Sequence, residues 1–281
     1  MRRSLTIATL LLVVTILLPA CSQQTAPPPP ATSAPQPATA TGAAPTAATG
    51  GTTLANAVQL RGVVSWASGN PLRENIVTPF LERVEKDSKG QVKISVVGPE
   101  AWPVFEQLKG LRDGAFDVMF STPAFYDDGM PGAGATFIPY ADAKTRREVG
   151  LFDLYDRQYQ AKVNAKYLAE FAYAVPNHLY TRNKKITKIE DFRGLRMRST
   201  KSYDPFFVAL GASPTSIPVE ETLQALERGV VDGMQFPGYM FTANKYHEYL
   251  KYIVFPGIGE SALTILVNLD TWNKLPKETK D

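Results

Sequence analysis

The sequence predicts an α/β fold of two similar lobes with a ligand cleft between them, and three observations carry that expectation. Short apolar strands alternate with segments of helical spacing. One helix–glycine–strand unit occurs twice, 115 positions apart. Each copy runs into a loop that combines polar groups, a proline and aromatic side chains.

The chain begins outside that body. Arg2 and Arg3 precede the apolar run "LTIATLLLVVTILL" and then "LPAC". A basic start, an apolar stretch of secretory length and a small residue before the cut describe a signal peptide over residues 1–20, too short for a stable span. Cys21, the chain's single cysteine, then becomes the N-terminus. Residues 22–56, "SQQTAPPPPATSAPQPATATGAAPTAATGGTTLAN", carry no charge and almost no large apolar side chain. Such a stretch cannot bury enough surface to offset its ordering entropy, so residues 21–56 read as a disordered tether. Its reach is about 30 Å as a flexible coil, and longer where the prolines extend it.

Composition excludes several classes. Removing residues 1–20 takes away two arginines and no acid, lowering the formal charge from +3 to +1, which gives no reason to expect nucleic acid. A body without cysteine has no disulfide and no thiolate metal site. The G-x-S-x-G, H-E-x-x-H, P-loop and G-x-G-x-x-G patterns are absent, so no hydrolase elbow, zinc-protease helix or nucleotide loop is written in the chain. An acid–base carboxylate pair is not settled by sequence, because sequence does not place Glu and Asp in space. His178 and His247 are the two histidines, and neither has ligand spacing with other metal-binding side chains.

From residue 58 the composition turns globular. "LRGVVSW" and "VKISVV" read as strands, the second through the alternation of Val92, Ile94 and Val96. Ile76, Phe80, Leu81 and Val84 between them have helical spacing. Strands and helices in alternation predict mostly parallel pairing. The duplicated unit is "PVFEQLKGLRDGAFDVM" at 103–119 and "PVEETLQALERGVVDGM" at 218–234, identical at eight of seventeen positions. In each, a proline stands near the first turn, where its missing N–H costs little. A carboxylate, Glu106 or Glu221, lies near the positive helix start. Leu108 with Leu111, and Leu223 with Leu226, form a stripe to be buried. Gly114 and Gly229 can take the left-handed conformation that ends a helix. Short strands, "FDVMF" and "VVDGM", follow. The loops beyond them, "STPAFY" at 121–126 and "QFPGY" at 235–239, stand where open α/β sheets bind ligands. Ser121, Phe125, Gln235, Phe236 and Tyr239 are therefore candidate cleft residues, as is Trp66 after the first strand. "ANKYHEYLKY" reads as helical, with His247 structural within it.

"GLRMRST" at 194–200 reads as a strand with Arg196 and Arg198 on one side and Leu195 and Met197 on the other. Alternation alone does not separate the two arginines.

Five segments in order then resemble a known family: "FLERVEKDSKGQVKISVVGP", "EQLKGLRDGAFDVMFSTPA", "KKITKIEDFRGLRMRST", "LGASPTSIPVEETLQALERGVVDGMQFP" and "LVNLDTWNKLP". Together they cover most of residues 60–276 and resemble the extracytoplasmic solute-binding receptors of TRAP (tripartite ATP-independent periplasmic) transporters, the DctP-type family. "LPAC" resembles a bacterial lipobox, which implies that Cys21 carries lipid and tethers the protein to a membrane. The resemblance implies a periplasmic-binding-protein-like fold, with lobe I over 57–180, lobe II over 181–260 and a return segment over 261–281. It implies a non-enzymatic protein without cofactor or metal that captures an organic acid and delivers it to membrane permease subunits. The family's carboxylate-binding arginine matches Arg198, and a planar guanidinium suits two carboxylate oxygens. Its loop after "VDG" matches Gln235 and Phe236, and Glu106 matches a family position close to the ligand, with helix capping as the other reading. Phe236 implies an apolar or ring-facing wall, and Gln235 in place of a glutamate argues against a metal-bridged ligand. Asn177 stands where many relatives carry a second arginine, which implies one carboxylate rather than two. Relatives also continue beyond the position matching Asp281, so the resemblance implies C-terminal elements missing from this sequence, or a minimal variant. The competing classes are a lipid-anchored receptor of another transport or sensing system and, further off, a secreted hydrolase.

Overall fold

A computed structural model of the chain describes residues 57–137 and 142–281. The apolar leader, Cys21 and the tether lie outside the described residues. The first half runs β1 (Val58–Val64), α1 (Thr78–Asp87), β2 (Val92–Val97), α2 (Gln107–Arg112) and β3 (Val118–Ser121). Two helices, α3 (Ala143–Glu148) and α4 (Leu151–Val163), lead into the 17-residue β4 (Ala165–Thr181). The second half runs β5 (Arg196–Ser199), α5 (Asp204–Ala209), β6 (Ser213–Ser216), α6 (Val219–Glu227) and β7 (Gly233–Pro237). A second 17-residue strand, β8 (Tyr252–Asn268), returns along the sheet and is followed by α7 (Leu269–Lys274) and α8 (Lys277–Lys280).

Among the described residues the strands form one sheet in the order β2-β1-β3-β8-β4-β7-β5-β6. Read from either edge, the pattern is the same. A parallel trio, β2-β1-β3 or β6-β5-β7, is closed by an antiparallel strand, β8 or β4. The expected parallel pairing thus holds within each half. It fails in the middle, where β4 and β8 run antiparallel over their whole length, about 55 Å of extended chain. That pairing joins residues 71 to 103 positions apart, which no local pattern reports.

The repeat in sequence is a repeat in bonding. Asp117 accepts from the backbone and side chain of Arg61 on β1, at 2.8 and 3.1 Å. Asp232 does the same for Arg196 on β5, at 2.9 and 2.7 Å. The last carbonyls of the two helices are also capped alike. Leu111 O accepts from Asn268 at the end of β8, at 2.8 Å, and Leu226 O accepts from Arg182 just past β4, at 2.5 Å. Gly114 and Gly229 follow at φ +78° and +67°, the left-handed region where a side chain would be strained.

Three apolar cores hold these layers. One draws on both halves, with Val64, Phe120, Leu226, Met234, Phe236 and Ile265. A second joins the first half to the long strands, with Val63, Leu111, Met119, Tyr159 and Leu266. The third belongs to the second half, with Leu179, Met197, Tyr203 and Phe207. Ile76, Phe80, Leu81 and Val84 pack half-buried against the first core, as their spacing predicts. "ANKYHEYLKY" departs from expectation. It is broken at Lys245, φ +57°, and His247 sits in a single 3₁₀ turn, Tyr246–Glu248.

Candidate functional site: a buried guanidinium in a cleft between strand ends

The carboxyl ends of β1, β3, β5 and β7 converge on one cavity of about 490 Å³, counting its mouth open to solvent. Trp66 enters from β1, Thr122 and Phe125 from β3, Thr200 and Tyr203 from β5, and Pro237, Tyr239 and Met240 from β7. Asn177 and Leu263, from the long strands, complete the lining. This is the position at which open α/β sheets bind ligands.

Arg198 is the charge in this cavity. Period-two alternation places it beside Arg196, but their surroundings differ. Arg196 lies half-exposed and spends its guanidinium on Asp232. Two residues on, the strand has passed into the interior, and Arg198 is 2% exposed. Its Nε donates to Ile217 O at 2.9 Å, and its guanidinium carbon lies 5.8 Å from the centroid of the Phe236 ring. Its Nη2 is buried with no hydrogen-bond partner, and no carboxylate forms an ion pair with it among the described residues. Burial pushes the guanidinium down to about 10, against weaker upward pulls from Tyr246 and Glu220, so it remains charged at neutral pH. An unpaired buried charge costs on the order of 3–5 kcal/mol.

Two more cavity atoms are unsatisfied. Thr200 Oγ1 and Gln235 Oε1 are buried without partners, so three of five such side-chain atoms among the described residues line this cavity. The apolar walls are Trp66, Phe125, Phe137, Phe236 and Met240. Phe137 stacks on Tyr203 with ring centroids 5.5 Å apart, and Phe236 meets Tyr246 edge-on at 5.0 Å. Tyr239, 44% exposed, stands at the mouth.

Seven of the nine ligand-site residues expected from sequence line this cavity: Trp66, Phe125, Asn177, Arg198, Gln235, Phe236 and Tyr239. Two do not. Glu106 is exposed at the start of α2 and makes no side-chain cap; its backbone oxygen accepts from Trp102 Nε1 at 3.3 Å. The helix turns its carboxylate toward water because Val104 and Gln107 take the inward positions. Ser121 is fully buried behind the wall, where Ser65 Oγ bridges it to Gln107 at 2.6 Å on each side. Sequence reasoning missed Thr200, Tyr203 and Phe137. Thr200 continues the alternation of Arg196 and Arg198, and Tyr203 lies in the third strand-end loop, so both carried a readable signal. Phe137 lies in a glycine-rich stretch without periodicity.

The family model described as bacterial extracellular solute-binding protein, family 7 (DctP) matches residues 63–281. The chain belongs to that family. It is a family of solute-binding proteins, not of enzymes. Among curated relatives, the C4-dicarboxylate-binding periplasmic protein DctP of Rhodobacter capsulatus is 27% identical over 213 residues, covering 72% of this chain and 62% of that protein. The chain therefore spans less than two thirds of that relative's length. Among solved structures, a TRAP periplasmic solute-binding protein of Desulfovibrio salexigens with bound orotic acid superposes with a TM-score of 0.67 at 24% identity, covering 79% of this chain and 73% of that one. A marine-metagenome TRAP solute-binding protein specific for aromatic acid ligands, in complex with 3-hydroxybenzoate, gives 0.66 at 25% identity, covering 80% and 72%. The two-lobed α/β fold of these receptors is the fold of this DctP-family chain.

Proposed function

We propose that the protein is the extracytoplasmic receptor of a TRAP transporter and captures an organic acid for membrane permease subunits. The ligand is a monocarboxylate with an apolar or aromatic body. The observation that carries this reading is Arg198, a buried guanidinium whose Nη2 has no partner and whose cavity walls are largely apolar. A carboxylate supplies the two acceptor oxygens that a guanidinium fork lacks. Asn177, at the strand position opposite Pro237, supplies an amide where a second cation would favour a dicarboxylate. The Rhodobacter relative is named for C4-dicarboxylates and the marine structure for aromatic acids, and the walls here favour the second chemistry.

The mechanism is closure of two lobes, 57–180 and 181–260, with 261–281 returning to the first. The acid docks on Arg198 in one lobe and gains contacts from Trp66, Phe125 and Thr122 of the other, which shifts the population to the closed form. The segment before residue 57 serves as a tether from lipid-modified Cys21, holding the receptor at the extracytoplasmic face of a membrane. Calorimetric titration of a carboxylate panel, with native mass spectrometry of freshly purified protein to detect a retained acid, tests the reading. Binding of a monocarboxylate that Arg198→Ala abolishes supports it. Failure of every acid, or equal binding by the variant, overturns it.

A further inference from the structure

Arg198 accounts for one of the cavity's three unsatisfied atoms. The other two differ in kind. Thr200 Oγ1 both donates and accepts, so it discriminates nothing; an amide oxygen can only accept. Gln235 is 6% exposed, and its amide is held by a relay. Its Nε2 donates to Asn177 Oδ1 at 2.8 Å, and Asn177 Nδ2 donates to Tyr203 Oη at 3.2 Å. That leaves the oxygen of cavity-lining Gln235 as a buried acceptor without a donor. On β7, Gln235 and Phe236 point to opposite sides of the strand, so this acceptor and the ring beneath Arg198 approach the ligand from different walls.

Resting on the receptor reading above, we infer that Gln235 sets a second condition on the ligand. Besides its carboxylate, the acid carries a hydrogen-bond donor, a hydroxyl or an N–H, for Gln235 Oε1. A carboxylate-only acid leaves a buried acceptor unpaired, and a 2-oxo acid sets one lone pair against another. Sites built to hydrogen-bond a ligand hydroxyl reject analogues that lack it, whereas apolar walls discriminate weakly. Gln235 is therefore a specificity-determining residue, and Asn177 with Tyr203 are the positioning residues that hold its orientation.

Matched series of acids test this on the full chain by calorimetry: lactate, propionate and pyruvate; mandelate, phenylacetate and phenylglyoxylate; 3-hydroxybenzoate and benzoate. In each series that binds, the hydroxylated member binds tightest, by roughly ten- to a hundred-fold over its plain analogue. Gln235→Met levels the members of a series while leaving the requirement for Arg198 intact. Equal or tighter binding of the plain or 2-oxo acids in wild-type protein overturns the inference and leaves the receptor reading standing. Absence of binding by any acid overturns both. The wild-type comparison decides the matter even where the Gln235 variant does not fold.

Discussion

The two halves of the sheet share a bonding plan, and one pair of equivalent positions differs in charge. In the first, Val63 on β1 pairs with Met119 on β3; in the second, Arg198 on β5 pairs with Met234 on β7. Two residues earlier on each strand an arginine clamps the aspartate of the repeated unit, Arg61 on Asp117 and Arg196 on Asp232. Val63 and Arg198 therefore occupy equivalent places, and both are buried. Where the first half completes a core, the second installs a charge. The repeated frame is shared, and the buried charge stands at the strand end of the second half.

The comparison can be broken most severely by making the halves alike in charge. Val63→Arg places a buried guanidinium without a carboxylate partner in a core of Leu111, Met119 and Leu266. It is expected to cost about 3–5 kcal/mol, read as a lowered denaturant midpoint at unchanged slope. The reverse change has the opposite sign. Arg198→Met removes the unpaired charge and is expected to stabilise the unliganded protein by about 1–4 kcal/mol, seen as a higher melting temperature without ligand. A lower melting temperature in that variant would mean that the guanidinium is compensated within the protein.

Smaller effects sharpen the parallel between the clamps. Asp117→Asn and Asp232→Asn should each cost about 1 kcal/mol and change acid binding little, because the two aspartates precede β3 and β7, away from the carboxyl ends that line the cavity. Hydrogen bonds from Arg196 hold the Asp232 carboxyl below its ordinary range, outweighing burial. For Asp117 burial is the largest influence and raises it, but the bonds from Arg61 and Thr271 together prevail and the net direction is again down. A carboxyl depressed in the folded state contributes stability above its unfolded value, near 4, and loses it as pH falls through the folded value. Acid unfolding below about pH 4 should therefore be blunted in both variants. The smallest effect is none: affinity for the acid should stay flat between pH 6 and 9, since Arg198, though pushed down to about 10, remains protonated there. A slope in that window would implicate a histidine, and His178 lies outside the cavity, beside Phe255.

What could be read in the sequence was whatever repeats or alternates. The duplicated unit predicted two equivalent strand ends, and period two placed Arg196 with Arg198. The family resemblance selected Arg198, and burial gives the physical reason: β5 is exposed at Arg196 and buried from Met197 onward. The long β4–β8 pairing was hidden because antiparallel contacts between distant segments leave no local period. Tyr203 and Phe137 were hidden because loop residues reach a cleft through tertiary geometry. That Glu106 faces solvent was hidden because a position near a helix start does not say which way the side chain turns. The clamp role of Arg196 was masked because its partner, Asp232, lies 36 positions away.

The central claim is that Arg198 is a cation awaiting a carboxylate. One calorimetric titration of wild-type protein and Arg198→Met with the tightest-binding monocarboxylate, beside thermal melts of both without ligand, tests it most directly. The account predicts that the variant melts higher and binds at least a hundred-fold more weakly, about 3 kcal/mol or more. A variant that melts lower and still binds the acid as wild type does would contradict it.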